Sequence, residues 1–230
     1  MNTVQCVIFD LDGTLLNTSP GIMESVRYAA EKLGYPPLTE EQLLSFIGPP
    51  LKDSFVRCYD CAMPQAEELT AAYREHYREG ALLNAKPYDK IRELLTELER
   101  RNICSAVATS KPQAFSEQIL RHFDLSRFFR VIHGSDLEGK LKKSDLIRLC
   151  AEDTGALYNQ CVMIGDTEHD ARGANDAGVP FIGVSYGFGN RDNMLRYPYI
   201  GLADMPMDVL RILDERERTA WITKEKRSRS

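Results

Sequence analysis

No stretch of this chain approaches the roughly 18 consecutive apolar residues of a membrane-spanning helix. Its first residues run straight into a strand-like pattern, without the charged, apolar and small-residue sections of a secretion signal. A cytoplasmic protein that does not act at a membrane is therefore expected. Surplus positive charge is also missing: 29 Lys and Arg face 34 Asp and Glu, a net charge of −5. Nucleic-acid binders draw affinity from neutralised phosphates, so a dedicated one is not expected. Nor do the six cysteines make a zinc pattern. Cys58 and Cys61 have the spacing of half a site, but no second pair or suitably spaced His follows. Cys6, Cys104 and Cys161 fall in apolar runs, where a free thiol behaves as a small apolar side chain, and a reducing compartment is the simpler reading. His76, His122, His133 and His169 are scattered, and His169 reads as a solvent-facing helix residue. There is no internal repeat and no low-complexity block.

What is present suits a soluble domain with a small insert. The chain has 230 residues, 43% hydrophobic and 27% charged, enough to bury a sizeable core beneath a soluble surface. The stretch Val4-Gln5-Cys6-Val7-Ile8-Phe9-Asp10-Leu11-Asp12-Gly13-Thr14 begins as a run typical of a strand buried on both faces. It ends in two carboxylates, which alternation along an extended chain would put on one face, and a glycine suited to a tight turn. Two acids there repel each other and are costly to desolvate, so a bound cation, a shared proton or a task for each is expected.

From about 16 to 82 the periodicity predicts helices alone. Ser19-Pro20 reads as a helix start, Thr39 to Gln42 as a capping box, and Gly48-Pro49-Pro50 as a break before further helices. From Pro87 onward helices alternate with the runs 103–109, 130–134, 161–166 and 180–184. That alternation predicts an α/β fold: a Rossmann-like, mostly parallel sheet with an inserted all-helical cap. The expected division is a core of 1–15 and 83–214, a cap of 16–82, and a polar tail of 215–230 that frays, with Trp221 docking back.

Ligands of such sheets bind beyond the carboxyl ends of the strands. The residues expected there are Asp10, Asp12, Thr109, Ser110, Lys111, Asp166 and Asp170, with Lys143 opening a helix. Acids, hydroxyls and one lysine suit Mg²⁺ and a phosphate ester. Asp10 and Asp166 are candidates for direct ligands. Asp12 completes the acidic set, and Asp170, one helical turn beyond Asp166, could hold a metal-bound water. An ionised Asp10 can attack phosphorus, while Asp12 serves as acid and then base. Thr109, Ser110, Lys143 and the backbone N–H groups about Gly13 would bind the phosphoryl oxygens. Lys140 and Lys142 are further candidates for the lysine role, and Lys111 can equally be a solvated loop charge.

At these residues the sequence resembles the haloacid dehalogenase superfamily. Asp10-Leu11-Asp12-Gly13-Thr14 resembles its first motif, Thr109 its second and Lys143 its third. Gly165-Asp166-Thr167-Glu168-His169-Asp170 resembles the fourth, and Tyr186-Gly187-Phe188-Gly189 the loop after the last core strand. The resemblance implies a Rossmann-like core, Mg²⁺ dependence, Asp10 as nucleophile and Asp12 as acid/base, and the second acid favours a phosphatase or mutase over a dehalogenase. Residues 46–55 resemble the cap segment of phosphoglycolate phosphatase-like enzymes, most closely 5′-nucleotidases, with Gly48 and Lys52 as specificity candidates. The function expected is therefore hydrolysis of a small-molecule phosphate ester, a nucleoside 5′-monophosphate first and 2-phosphoglycolate second, by a monomer or small homo-oligomer. A sugar phosphomutase and a non-catalytic phosphate-ligand binding protein are the alternatives.

Overall fold

The computed structural model describes residues 3–136 and 140–228. In chain order its elements begin with β1 (Cys6–Phe9), β2 (Leu16–Asn17), α1 (Ser19–Lys32), α2 (Glu40–Leu44), α3 (Leu51–Tyr59) and α4 (Met63–Glu79). Then come β3 (Lys86–Pro87), α5 (Ile91–Arg100), β4 (Cys104–Pro112), α6 (Gln113–His122), β5 (Phe129–Ser135) and α7 (Lys143–Thr154). The chain closes with β6 (Cys161–Gly165), α8 (Glu168–Ala177), β7 (Phe181–Val184), α9 (Arg191–Met194), β8 (Gly201–Ala203) and α10 (Asp208–Ser228). None of the described helices is long and apolar enough to cross a membrane.

All four residues of β1 are buried. Alternation sends Val7 and Phe9 into one apolar layer, with Leu94 and Leu98 of α5, and Cys6 and Ile8 into the other, with Leu146 and Cys150 of α7. A strand sealed on both sides has room for polar side chains only past its end, where Asp10 stands. The six strands run β5-β4-β1-β6-β7-β8, every pairing parallel. From β1 the chain builds outward through β4 and β5, then crosses to β6 and builds the other way. The direction of winding thus reverses at β1, where such sheets open a crevice.

Three local expectations are corrected. The stretch from 16 to 82 is not wholly helical, because Leu16↔Pro87 and Asn17↔Lys86 form a two-stranded antiparallel ribbon where the chain leaves and regains the sheet. The sheet also gains a sixth strand at its edge, β8, beyond the five apolar runs. Finally, α10 continues through the stretch expected to fray after 214. Two residues early in that stretch are tied down: Arg216 donates to the Asn159 carbonyl at 2.8 Å, and Glu217 accepts from Val4 N at 3.3 Å. The expected docking of Trp221 lies outside the described side chains.

Among the inserted helices α1 packs along α4 and α4 along α3. The capping box at Thr39 opens α2, its hydroxyl accepting from Gln42 N while the Gln42 side chain accepts from Thr39 N. Phe46, Phe55, Leu69 and Tyr77 join the same apolar layer as Val7 and Phe9.

Candidate active site

β1 ends at Phe9, one residue before the acids. Asp10 N still donates to Ile164 O of β6 at 2.9 Å, and the chain then turns so that Leu15 and Leu16 N–H both donate to Leu11 O at 3.0 Å. Gly13 makes this turn with a φ of +85°, and a Cβ there would lie 2.3 Å from Asp166 Oδ2. The turn parts the two carboxylates expected to project together: Asp10 faces Lys143 of α7, whereas Asp12 faces Lys111, whose ammonium also reaches Tyr77 of α4.

Lys143, first residue of α7, reaches Asp10 Oδ1 at 2.7 Å and the Ala108 carbonyl at 3.0 Å. The same Nζ lies 2.7 Å from Asp170 Oδ1, in a contact with only 3% and 1% of the two side chains exposed. Lys140 and Lys142 are exposed, so burial singles out Lys143 among the three lysines. Its stem has room because α8 carries Gly173 beside it, where a Cβ would come 2.5 Å from Lys143 Cγ. Gly173→Ala is expected to displace the ammonium and lower kcat/KM by ~100-fold without loss of helix, checked by steady-state kinetics beside circular dichroism.

Asp166 follows β6. Its Oδ2 accepts from the backbone N–H of Phe188 at 2.8 Å and of Gly189 at 3.2 Å, and its Oδ1 accepts from Thr14 Oγ1 at 3.3 Å. The loop after β7 that resembled a family feature therefore supplies donors to this acid. A Cβ on Gly187 would sit 2.3 Å from Asp166 Cβ, so only glycine allows the approach. Asp170 arrives through a capping box, its Oδ2 accepting from Thr167 Oγ1 at 2.6 Å and Thr167 N at 3.1 Å. Because α8 starts at Glu168, Asp166 precedes the helix, and a shared helical face is not what brings the two acids together.

Asp10, Asp166 and Asp170 offer oxygens that all lie within 4.8 Å of one another, and all three residues are buried. Burial, opposed by Lys143 and reinforced by Asp170 and Asp12, pushes the Asp10 carboxyl up to about 7. Burial, then the charges of Asp170 and Asp10, drives Asp166 well above the carboxylate range. For Asp170 the burial penalty is outweighed by the Lys143 ammonium, and this carboxyl is held low. One ammonium thus pairs with two of three clustered acids, and lost water and the charge of Asp170 push Asp10 and Asp166 toward neutrality. Asp170 Oδ1 is enclosed and lacks a hydrogen bond of normal geometry despite the nearby ammonium. An all-oxygen donor set with surplus negative charge fits a hard divalent cation. Asp12, expected in the acidic set about the ion, is absent from this three-acid group.

The remaining expected residues sit around it. Thr109 is buried and its Oγ1 accepts from Lys111 N at 3.2 Å; the Ser110 carbonyl accepts from Ser135 Oγ at 2.7 Å. Gly48, with φ +101°, brings the break between α2 and α3 against Thr167, where a Cβ would meet Cγ2 at 3.0 Å. Lys52 pairs with Glu67 at 2.9 Å. A cavity of about 510 Å³ lies between the sheet and the inserted helices, and Asp12, Ser110, Lys143, Gly48 and Lys52 all line it. His169, half-buried on α8, lines it too and lies outside the three-acid group. Burial, then the charge of Lys143, holds its imidazole below the usual range. Sequence reasoning put Lys111 at the rim and Thr167 within the fourth motif without giving either a role, and it missed Tyr77.

Known proteins share this sequence pattern and fold. The family described as haloacid dehalogenase-like hydrolase matches residues 7–184. A 5′-nucleotidase of Pseudomonas aeruginosa is 42% identical over 189 residues, 82% of this chain and 86% of that protein. A phosphoglycolate phosphatase of Shigella boydii is 27% identical over 213 residues, 80% of this chain and 82% of its own. The crystal structure of a predicted phosphatase from Clostridium acetobutylicum superposes with a TM-score of 0.84 at 36% identity, covering 94% of this chain and 99% of that one.

Proposed function

Because the chain belongs to the haloacid dehalogenase-like hydrolase family and is a phosphatase, we propose that it hydrolyses a small phosphate monoester through an aspartyl-phosphate on Asp10, with Mg²⁺ held by Asp10, Asp166 and Asp170. The observation that carries this reading is the Lys143 ammonium lodged between Asp10 and Asp170 beside a third buried acid. When bound, the cation supplies the positive charge that keeps these acids ionised and screens them from an incoming phosphate.

The chain's own residues supply the rest. Asp10 attacks phosphorus through a carboxylate oxygen; as that O–P bond forms, the ester P–O bond breaks and its electron pair leaves with the ester oxygen. Asp12, lining the cavity, gives that oxygen its proton. In the second half Asp12 takes a proton from water as the water oxygen bonds phosphorus, and the Asp10–phosphorus bond breaks to release inorganic phosphate. Lys143 orients Asp10 and faces the phosphoryl oxygens, with Thr109 and Ser110 beside it at the end of β4.

The helices of 16–82 serve as a cap on a core of 1–15 and 83–214, with 215–230 as an appended tail, and Gly48 and Lys52 contact the part of the substrate beyond its phosphate. Nucleoside 5′-monophosphates come first as substrates and 2-phosphoglycolate second, supported by the named relatives and by the likeness of residues 46–55. The protein acts in the cytoplasm as a monomer or small homo-oligomer, without nucleic acid or membrane.

Chelation tests the reading. Turnover of p-nitrophenyl phosphate should fall by at least ~100-fold in EDTA and return with added Mg²⁺. Full activity after exhaustive chelation rules out the ion, and a panel of monoesters favouring hexose phosphates overturns the substrate order.

A further inference from the structure

Among the described residues two lysines are buried, Lys143 and Lys111, and the chemistry above uses only the first. Lys111 stands near the end of β4, where the register against β5 shifts between Thr109 and Pro112. Its backbone is pinned on both sides, the N–H donating to Thr109 Oγ1 at 3.2 Å and the carbonyl accepting from Ser116 Oγ at 3.3 Å. The ammonium lies 3.1 Å from Asp12 Oδ1 and donates to the Tyr77 hydroxyl at 2.7 Å. Tyr77 belongs to α4, among the inserted helices, and its ring rests edge-on against Phe115 of α6 at 5.6 Å. Residues from the loop after β1, the end of β4 and the inserted helices therefore converge on one buried cation.

Asp12 Oδ1 is enclosed and lacks a hydrogen bond of normal geometry, so the Lys111 ammonium 3.1 Å away is its charge partner, and only 11% of the Asp12 side chain is exposed. Asp12 and Lys111 both line the cavity. With Oδ1 held against the ammonium, Oδ2 is left to carry a proton to or from a substrate there. A carboxylate on a short, rotatable side chain has no such preference of its own, and a misplacement of 1 Å can cost ~100-fold in rate.

The geometry points to Lys111 as a positioning residue that fixes which oxygen of Asp12 meets the leaving group, and to the Tyr77 hydroxyl as the contact through which the inserted helices hold Lys111 in place. The inference rests on Asp12 being the proton donor of the proposed reaction. It ties the acid–base step to the seating of the helical unit: when α4 moves off, Lys111 loses the acceptor that holds it against Asp12.

The test exploits the leaving group. An alkoxide, as from a nucleoside 5′-monophosphate, must be protonated as it departs, whereas p-nitrophenolate leaves without a proton. Single-turnover cleavage of both esters is measured with excess enzyme for wild type, Lys111→Met, Lys111→Arg and Tyr77→Phe. Lys111→Met should lose ~100-fold more rate on the nucleotide than on the aryl ester, at a nearly unchanged half-saturating enzyme concentration. Lys111→Arg, which keeps a cation, should recover part of that difference. Tyr77→Phe should show the same bias at ~10-fold. Equal losses on the two esters, or a raised half-saturating concentration with the maximal single-turnover rate kept, overturn the positioning role. A wild-type ratio in Tyr77→Phe overturns the link to the helical unit. Wild-type cleavage of the aryl ester that persists in Asp10→Asn defeats the aspartyl-phosphate reading itself, an outcome distinct from equal losses in an enzyme that depends on Asp10.

Discussion

Asp10→Asn is expected to reduce turnover of every phosphate monoester by ~10⁴-fold or more while the protein still folds. The amide keeps the shape of the carboxylate and an oxygen toward Lys143 Nζ, 2.7 Å away in the native chain, but it is a poor nucleophile. Rapid-quench experiments with ³²P-labelled substrate should find phosphate on the wild-type protein and none on the variant. Retention of even a hundredth of the activity would mean that another group attacks phosphorus. The substitution also has a signature in stability. Burial raises the Asp10 carboxyl to about 7 in the folded chain, above its unfolded value near ~3.9. The folded state therefore binds the proton more tightly, and stability is lost as pH climbs through the interval between the two values. Asparagine does not titrate. In EDTA the melting temperature of Asp10→Asn should gain on wild type from about pH 4 to about pH 7, and the gap should then level off.

The second large effect is expected at Lys143. Lys143→Met should lower kcat/KM by ~10³-fold or more and destabilise the chelated protein by ~3–5 kcal/mol near neutral pH. Removing one member of a buried ion cluster leaves the others unpaired, and here it strands Asp10 and Asp170, 5% and 1% exposed at their side chains. The ammonium is itself held above the usual lysine range: burial works against its charge, but Asp10 and Asp170 outweigh it. Urea melts of Lys143→Met and of the double variant with Asp10→Asn separate the two contributions. The double variant should regain part of the lost stability and none of the activity. A Lys143→Met protein as stable as wild type would show that the acids are not charged in the folded chain.

The frame of the candidate site was legible because it follows from patterns a single strand or helix imposes. Val7, Ile8 and Phe9 announce a buried strand, and the polar residues that follow must then lie at its rim. The runs ending at Thr109 and Asp166 announce the neighbours that bring their ends alongside. What escaped was set by the third dimension. The three residues of β8 are too few to show a period, and Leu16-Asn17 has no strand signal apart from its partner Lys86-Pro87. Lys111 resembles any loop lysine until a shift in strand pairing and a tyrosine 34 positions away bury it. Asp166 and Asp170 were placed together for the wrong reason, since their spacing fits a helical turn that begins only after Asp166. The glycines at 13, 173 and 187 could be seen in the sequence, but which side chain each makes room for could not.

The ribbon of Leu16-Asn17 with Lys86-Pro87 has an evolutionary corollary. Paired strands stand about 4.8 Å apart, so the polypeptide departs and returns at nearly one point. Everything strung between those two places can lengthen, shrink or be traded for another module while the six-stranded scaffold stays threaded as before. New specificities can therefore be acquired by recombination at this junction, with the buried acids and lysine at the strand ends inherited intact.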